Sequence, residues 1–349
     1  IWMKQTEFTG RETEKRFDRS LFAAFVLATA PGFFIQARSA EADMLLALWV
    51  AMAFYGFWKH RATGSVSALL IAYAALGLSV LTKGHVGLVT VVPPLLLWSL
   101  VERSRSSLSL PKSGALKWHL AGVLLIFMIV LPWAIPFLQR SGITWQAFNK
   151  EGLGGRVGEN VPHDEPFYWY LYHIPGWFLP WTLLLIFALF QTRRLPPDER
   201  SPLRRLCWIW LGWGVLLFSI LSSKQRHYVV PLFPAAALIV ADTFARWWEL
   251  AEAGPARSAR ISLIVLSLLL ATGTAVLPLL AASGKLLSAA EASAIWPVAI
   301  LGALVFIFAA VKLALRAGCM HLWWAGGVCL MVIFSRTIEN QEATKSPHL

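Results

Sequence analysis

Apolar residues fall along this chain in blocks rather than in faces. A helix that crosses a hydrocarbon core needs roughly 17–25 apolar residues. Blocks of about that length occur eleven times, near 20–37, 42–58, 65–81, 85–101, 118–138, 172–191, 205–222, 228–245, 259–281, 295–315 and 319–335. Most are apolar all round, as helices surrounded by lipid and other helices are. Gly and Pro punctuate the boundaries, as at Lys83-Gly84, and a Pro93-Pro94 pair falls inside the fourth block. The pattern predicts an all-α, polytopic transmembrane bundle of about eleven spans, with a large outer loop between spans five and six.

Composition excludes the soluble alternatives. Of 349 residues, 57% are hydrophobic and 14% charged, too little charge to cover a water-soluble domain of this size. The net charge of +12 reads as topology rather than nucleic-acid binding, because Lys and Arg collect in the cytoplasmic loops of membrane proteins. With the N-terminus inside, 21 of the 31 basic residues lie in inner segments and ten in outer ones. Cys207, Cys319 and Cys329 lie in apolar runs without metal-ligand spacing and read as buried thiols. No signal peptide opens the chain at Ile1, and Leu349 closes it in polar sequence. The expectation is a piece truncated at both ends, with residues 1–335 as the transmembrane core and 336–349 as the start of a periplasmic segment.

The inner loops carry mixed charge and turn residues, as in Arg193-Arg194-Leu195-Pro196-Pro197. The outer segments are spare and set single charges at helix ends. Arg38, Glu41 and Asp43 lie between spans one and two, and Lys83-Gly84-His85 between spans three and four. The long loop at about 139–172 holds Lys150, Arg156, His163 and the aromatic run Phe167-Tyr168-Trp169-Tyr170; Lys224, Arg226 and Tyr228 precede span eight. Singly, each has an ordinary reading. Arg38 can snorkel, Asp43 can cap a helix, Lys83 can anchor an interface, and the aromatic run can form a belt at the headgroups. Together, Lys83, Arg156, Lys224 and Arg226 are cations on the cation-poor side, which suits a phosphate at the interface. Glu41 and Asp43 add carboxylates suited to a sugar hydroxyl or amine.

Four segments resemble a known family. Ala28-Thr29-Ala30-Pro31 with Arg38 and Asp43-Met44, then Leu81-Thr82-Lys83-Gly84, then Leu131-Pro132-Trp133 leading to Gly155-Arg156 and His163, then Ser222-Ser223-Lys224 with Tyr228 and Pro231, follow in the order found in the bacterial relatives of the family-39 protein O-mannosyltransferases. That group includes the aminoarabinose transferase acting on lipid A. The resemblance implies a GT-C fold and an inverting glycosyltransferase of the bacterial inner membrane. It would move a sugar from a polyprenyl-phosphate carrier to a lipid (lipid A-like) or protein acceptor on the periplasmic face.

By the same resemblance, Lys83, Arg156 and Lys224 lie near the carrier phosphate and Tyr228 contacts carrier or sugar. Asp43 serves as a supporting acid, while Arg38, His163 and Arg226 complete the substrate side. The family's acidic pair in its first periplasmic loop has no match here, so the main catalytic Asp is expected upstream of Ile1. The chain reads Gly152-Leu153-Gly154-Gly155 where the family often has a His, so no metal site is assigned and a divalent metal has no support. A flippase of lipid-linked saccharides, or a cell-wall saccharide polymerase or ligase, stays open as an alternative.

Overall fold

A computed structural model describes residues 18–39, 41–105, 115–141, 165–194, 201–252, 257–283, 289–315 and most of 322–333. The described residues form helices α1 (Arg19–Thr29), α2 (Pro31–Arg38), α3 (Ala42–Thr63), α4 (Val66–Lys83), α5 (Val86–Arg105), α6 (Ala115–Ser141), α7 (Trp169–Trp177), α8 (Thr182–Arg194) and α9 (Pro202–Ile220). A 3-10 turn (Arg226–Leu232) then leads into α10 (Phe233–Glu252), α11 (Arg257–Ser283) and α12 (Ala289–Ala314). Where they are described, the apolar blocks fall mainly on helix, apart from the break after Trp177 and the 3-10 turn. Among the described residues, six helices are long and apolar enough to cross a membrane, or up to eight with each of two bent pairs taken as one span. α1 and α2 bend by 69° at Ala30, where Pro31 disfavours helical backbone in the residue before it. Pro93 and Pro94 do not break α5, since helices inside a bilayer re-satisfy the backbone groups that Pro frees.

The chain divides into two compact units. One comprises Gln36–Phe178 and Leu189–Ile239, and here α3 packs on α4, α4 on α6, and α5 on α9. The α3–α4 hairpin turns at Gly64, whose φ of +71° closes α3, while the Ser65 side chain caps α4 by accepting from Ala68 N. Small residues let the two backbones approach: a Cβ on Gly56 would lie 2.5 Å from the Ala68 carbonyl oxygen. That is how membrane helices associate where lipid removes the hydrophobic drive. α6 leaves Leu120, Leu124, Phe127 and Met128 exposed, a surface that only lipid accommodates.

The second unit comprises Ile1–Ile35, Leu179–Ala188 and Val240–Leu349. Phe22 stacks on Phe244 at 4.5 Å, Trp181 donates to Thr29 Oγ1 at 2.8 Å, and α11 packs along α12. Arg19 and Arg246 both meet Asp242 at 3.1 Å.

Candidate functional site

The site lies in the first unit, where three of the predicted outer segments converge. On α3 the buried positions Asp43, Leu46, Ala47, Val50, Ala53 and Phe54 form one stripe, so Asp43 is a carboxylate at the head of an interior face. On α4 the buried Leu76 and Ser79 continue to Lys83 at helical spacing. Gly84, with φ +61° and ψ −141°, stops α4 there, in a conformation that side-chain-bearing residues avoid. The α3–α4 hairpin therefore brings the two stripe ends together.

Lys83 Nζ donates to Asp43 Oδ1 at 2.6 Å and to Oδ2 at 2.8 Å. The Asp43 side chain is 5% exposed and that of Lys83 21%, so the pair is largely buried but the ammonium remains reachable. The Lys83 ammonium also sits 5.0 Å from the centroid of the Tyr228 ring, within cation–π range. Beside them, Leu46, Val86, Val89, Leu217, Phe218 and Leu221 line an apolar slot into which Asp43, Lys83 and Tyr228 also project. Trp213 braces this wall by donating to the Val89 carbonyl at 2.9 Å.

His227 bridges two acids, with Nδ1 3.6 Å from Glu41 Oε2 and Nε2 3.8 Å from Asp43 Oδ2. Gln36 Nε2 donates to Glu41 Oε2 at 2.6 Å. Glu41, Asp43 and His227 hold ligand atoms within 4.8 Å of one another, the spread a divalent cation could draw together. Lys83 donates to both Asp43 oxygens, so a cation bound there would share that carboxylate with the ammonium.

The remaining sequence candidates divide. Arg38 ends α2 and Arg226 opens the 3-10 turn, both exposed. Arg156 and His163 lie outside the described residues. Lys224 stands apart from the slot: its ammonium donates to the main-chain oxygens of Glu165 at 2.6 Å, Leu221 at 2.5 Å and Ser222 at 3.5 Å. Reading residues by charge passed over Gln36 and His227. Gln36 had a signal, being a single amide in an apolar helix, where an unpaired polar group is costly.

The opposite end of the same unit carries a different chemistry. Arg205 grips Glu102 through two bonds of 2.6 and 2.8 Å, and Arg204 Nε donates to Thr192 Oγ1 at 3.0 Å. Tyr73 Oη meets His119 Nδ1 at 2.9 Å. These contacts join helices.

Residues 7–148 match the family model described as dolichyl-phosphate-mannose-protein mannosyltransferase. A protein of Erwinia tasmaniensis described as undecaprenyl phosphate-alpha-4-amino-4-deoxy-L-arabinose arabinosyl transferase is 28% identical over 317 residues, covering 89% of this chain and 55% of its own length. The protein of the same description from Edwardsiella ictaluri is 30% identical over 207 residues, 57% of this chain and 35% of its own. The chain spans about half the length, or less, of these curated relatives. Among solved structures, ArnT from Cupriavidus metallidurans bound to undecaprenyl phosphate superposes with a TM-score of 0.69 at 22% identity. That likeness covers 94% of this chain and 59% of ArnT.

Proposed function

From a chain similar in sequence and fold to GT-C membrane glycosyltransferases related to family 39, we propose that it belongs to that group and forms the membrane core of a polyprenyl-phosphate-sugar-dependent glycosyltransferase. It transfers a sugar to a lipid acceptor of the lipid A kind, or to a protein hydroxyl, on the periplasmic face of the bacterial inner membrane. The observation that carries this reading is a cation set among the residues that line a small apolar slot. A polyprenyl phosphate has that same composition, an anionic head on an isoprenoid chain.

The Lys83 ammonium has three N–H donors. Two are taken by Asp43, and the third is free to meet a phosphate oxygen. Asp43 thereby acts as a counter-ion that holds the Lys83 ammonium in place. As the sugar leaves, negative charge grows on the carrier phosphate. A preorganised cation in a water-poor site stabilises that charge more than it stabilises the ground state. Tyr228 buttresses the ammonium, and Arg38, Arg156, His163 and Arg226 form the outer part of the substrate side. The relatives' description names an amino-sugar donor, and the Glu41 carboxylate beside His227 suits a sugar amine.

The test supplies purified protein with a labelled polyprenyl-phosphate sugar and an acceptor glycolipid in detergent. A transferase moves the label onto the acceptor without a second compartment. A flippase moves it only between leaflets of a vesicle, and that outcome would overturn the proposal.

A further inference from the structure

We propose that Lys224 is a positioning residue, a main-chain latch that fastens the downstream end of the long outer loop to the turn carrying the site. Its role differs from the phosphate contact expected for this lysine. The activity arm of its test rests on the function proposed above; the latch itself does not.

Lys224 is 3% exposed, and an ammonium buried so deeply persists only where its donors are met. Three of its acceptors are backbone carbonyls. Leu221 and Ser222 lie just upstream in the same turn, whereas Glu165 is 59 residues away. Two further bonds join the same strips of chain: Glu165 N donates to the Ser222 carbonyl at 3.2 Å, and Tyr170 Oη donates to the Gln225 carbonyl at 2.9 Å. Residues 165–170 and 221–225 are thus stitched at three points, and Lys224 supplies the charged one.

The consequence for the site follows from chain connectivity. Leu221 lines the slot. The 3-10 turn that begins at Arg226 presents His227 to Glu41 and Asp43, and Tyr228 to Lys83. A turn that shifts carries all three side chains with it. The chemistry also explains why this position holds Lys. Three carbonyls converging on one point suit the compact ammonium, while a planar guanidinium fork spreads its donors and suits phosphate. A phosphate ligand would tolerate Arg, and this latch would not.

The test uses Lys224→Met and Lys224→Arg in the purified protein. Each is combined with a cysteine pair, Glu165→Cys and Ser222→Cys, with Cys207, Cys319 and Cys329 changed to Ala. The first readout needs no activity. Losing charge-assisted bonds should slow disulfide formation between the paired cysteines by about tenfold relative to the Lys224 background. The second is binding of undecaprenyl phosphate: Lys83→Met should weaken it whether or not the cysteine pair is oxidised, whereas Lys224→Met should weaken it about fivefold through the displaced turn and recover when the pair is oxidised. The third is transfer, which both Lys224 variants should lower by about 100-fold, the usual effect of misplacing reacting groups. Oxidising the cysteine pair should restore it and reduction should abolish it again. Full transfer by Lys224→Arg overturns the latch. So does equal cross-linking with and without Lys224, or weakened carrier binding in Lys224→Met that the disulfide does not rescue. A parent protein that transfers no sugar counts against the proposed function alone, because cross-linking still reports on the latch.

Discussion

The Asp43–Lys83 pair is the contact whose loss should be read most clearly, because its two halves are unequally buried. Lys83→Met leaves a carboxylate that is 5% exposed without its counter-ion, whereas Asp43→Leu leaves an ammonium that is 21% exposed and can turn toward the headgroups. Removing one partner of a fully buried pair destabilises by about 3–5 kcal/mol. Lys83→Met should approach the lower end, about 3 kcal/mol, and Asp43→Leu should cost about 1–2 kcal/mol after solvent screening of the exposed half. Replacing both with apolar residues leaves no stranded charge, so the double variant should be more stable than Lys83→Met alone. The coupling energy in the cycle should be about 2 kcal/mol. Transfer should behave differently. Lys83→Met and the double variant should both lose it, because neither retains the cation that meets the leaving phosphate. The assays are unfolding of the detergent-solubilised variants by SDS titration and label transfer from a polyprenyl-phosphate sugar. Additive stability losses, or transfer recovering in the double variant, would refute the reasoning.

Three further outcomes follow from the same geometry. Tyr228→Phe keeps the ring beside Lys83 and should retain most transfer, while Tyr228→Leu removes the cation–π contact and should weaken carrier binding by about 1 kcal/mol in a binding titration. Gly56→Val places a Cβ 2.5 Å from the Ala68 carbonyl, so forcing α3 from α4 should lower unfolding stability by about 1–3 kcal/mol. Glu102→Ala removes the carboxylate that Arg205 grips at the opposite end of the unit and should lower stability by about 2–3 kcal/mol. Turnover per folded molecule should stay unchanged, as activity normalised to the monodisperse fraction would show.

The helices were legible because lipid forbids unpaired backbone and so demands long apolar blocks. Reading 20–37 as a single span missed the 69° bend between α1 and α2, although Pro31 marks its place. The site was only half legible. Charge placement found Asp43 and Lys83, but their pairing depends on two helical stripes running out at one end of a hairpin. That is visible only when Leu46, Val50, Leu76 and Ser79 are read as one interface with them. Lys224 marks the limit: a buried ammonium satisfied by phosphate and one satisfied by carbonyls have the same sequence. Only the approach of Glu165 across 59 residues distinguishes them.

The polar contacts also bear on a question that hydropathy leaves open, namely whether the α7–α8 pair runs from one end of the first unit to the other or turns back. Lys224 ties Glu165 to the end of the unit that holds the 221–228 segment, and His227 lies beside Asp43 there. Arg204 ties Thr192 to the other end, where Arg205 grips Glu102. The chain therefore passes from one end to the other between residues 165 and 192, once and through a broken helix. Crossing parity agrees. From Lys83 to His227 the chain runs through α5, α6, the α7–α8 pair and α9, and both residues contact Asp43. Only an even number of crossings returns it to the same side. A pair that crossed twice or not at all would make the number odd and put His227 on the far side from Asp43. The cluster at Asp43 thus fits an α7–α8 pair that passes once, bent, from one end of the unit to the other.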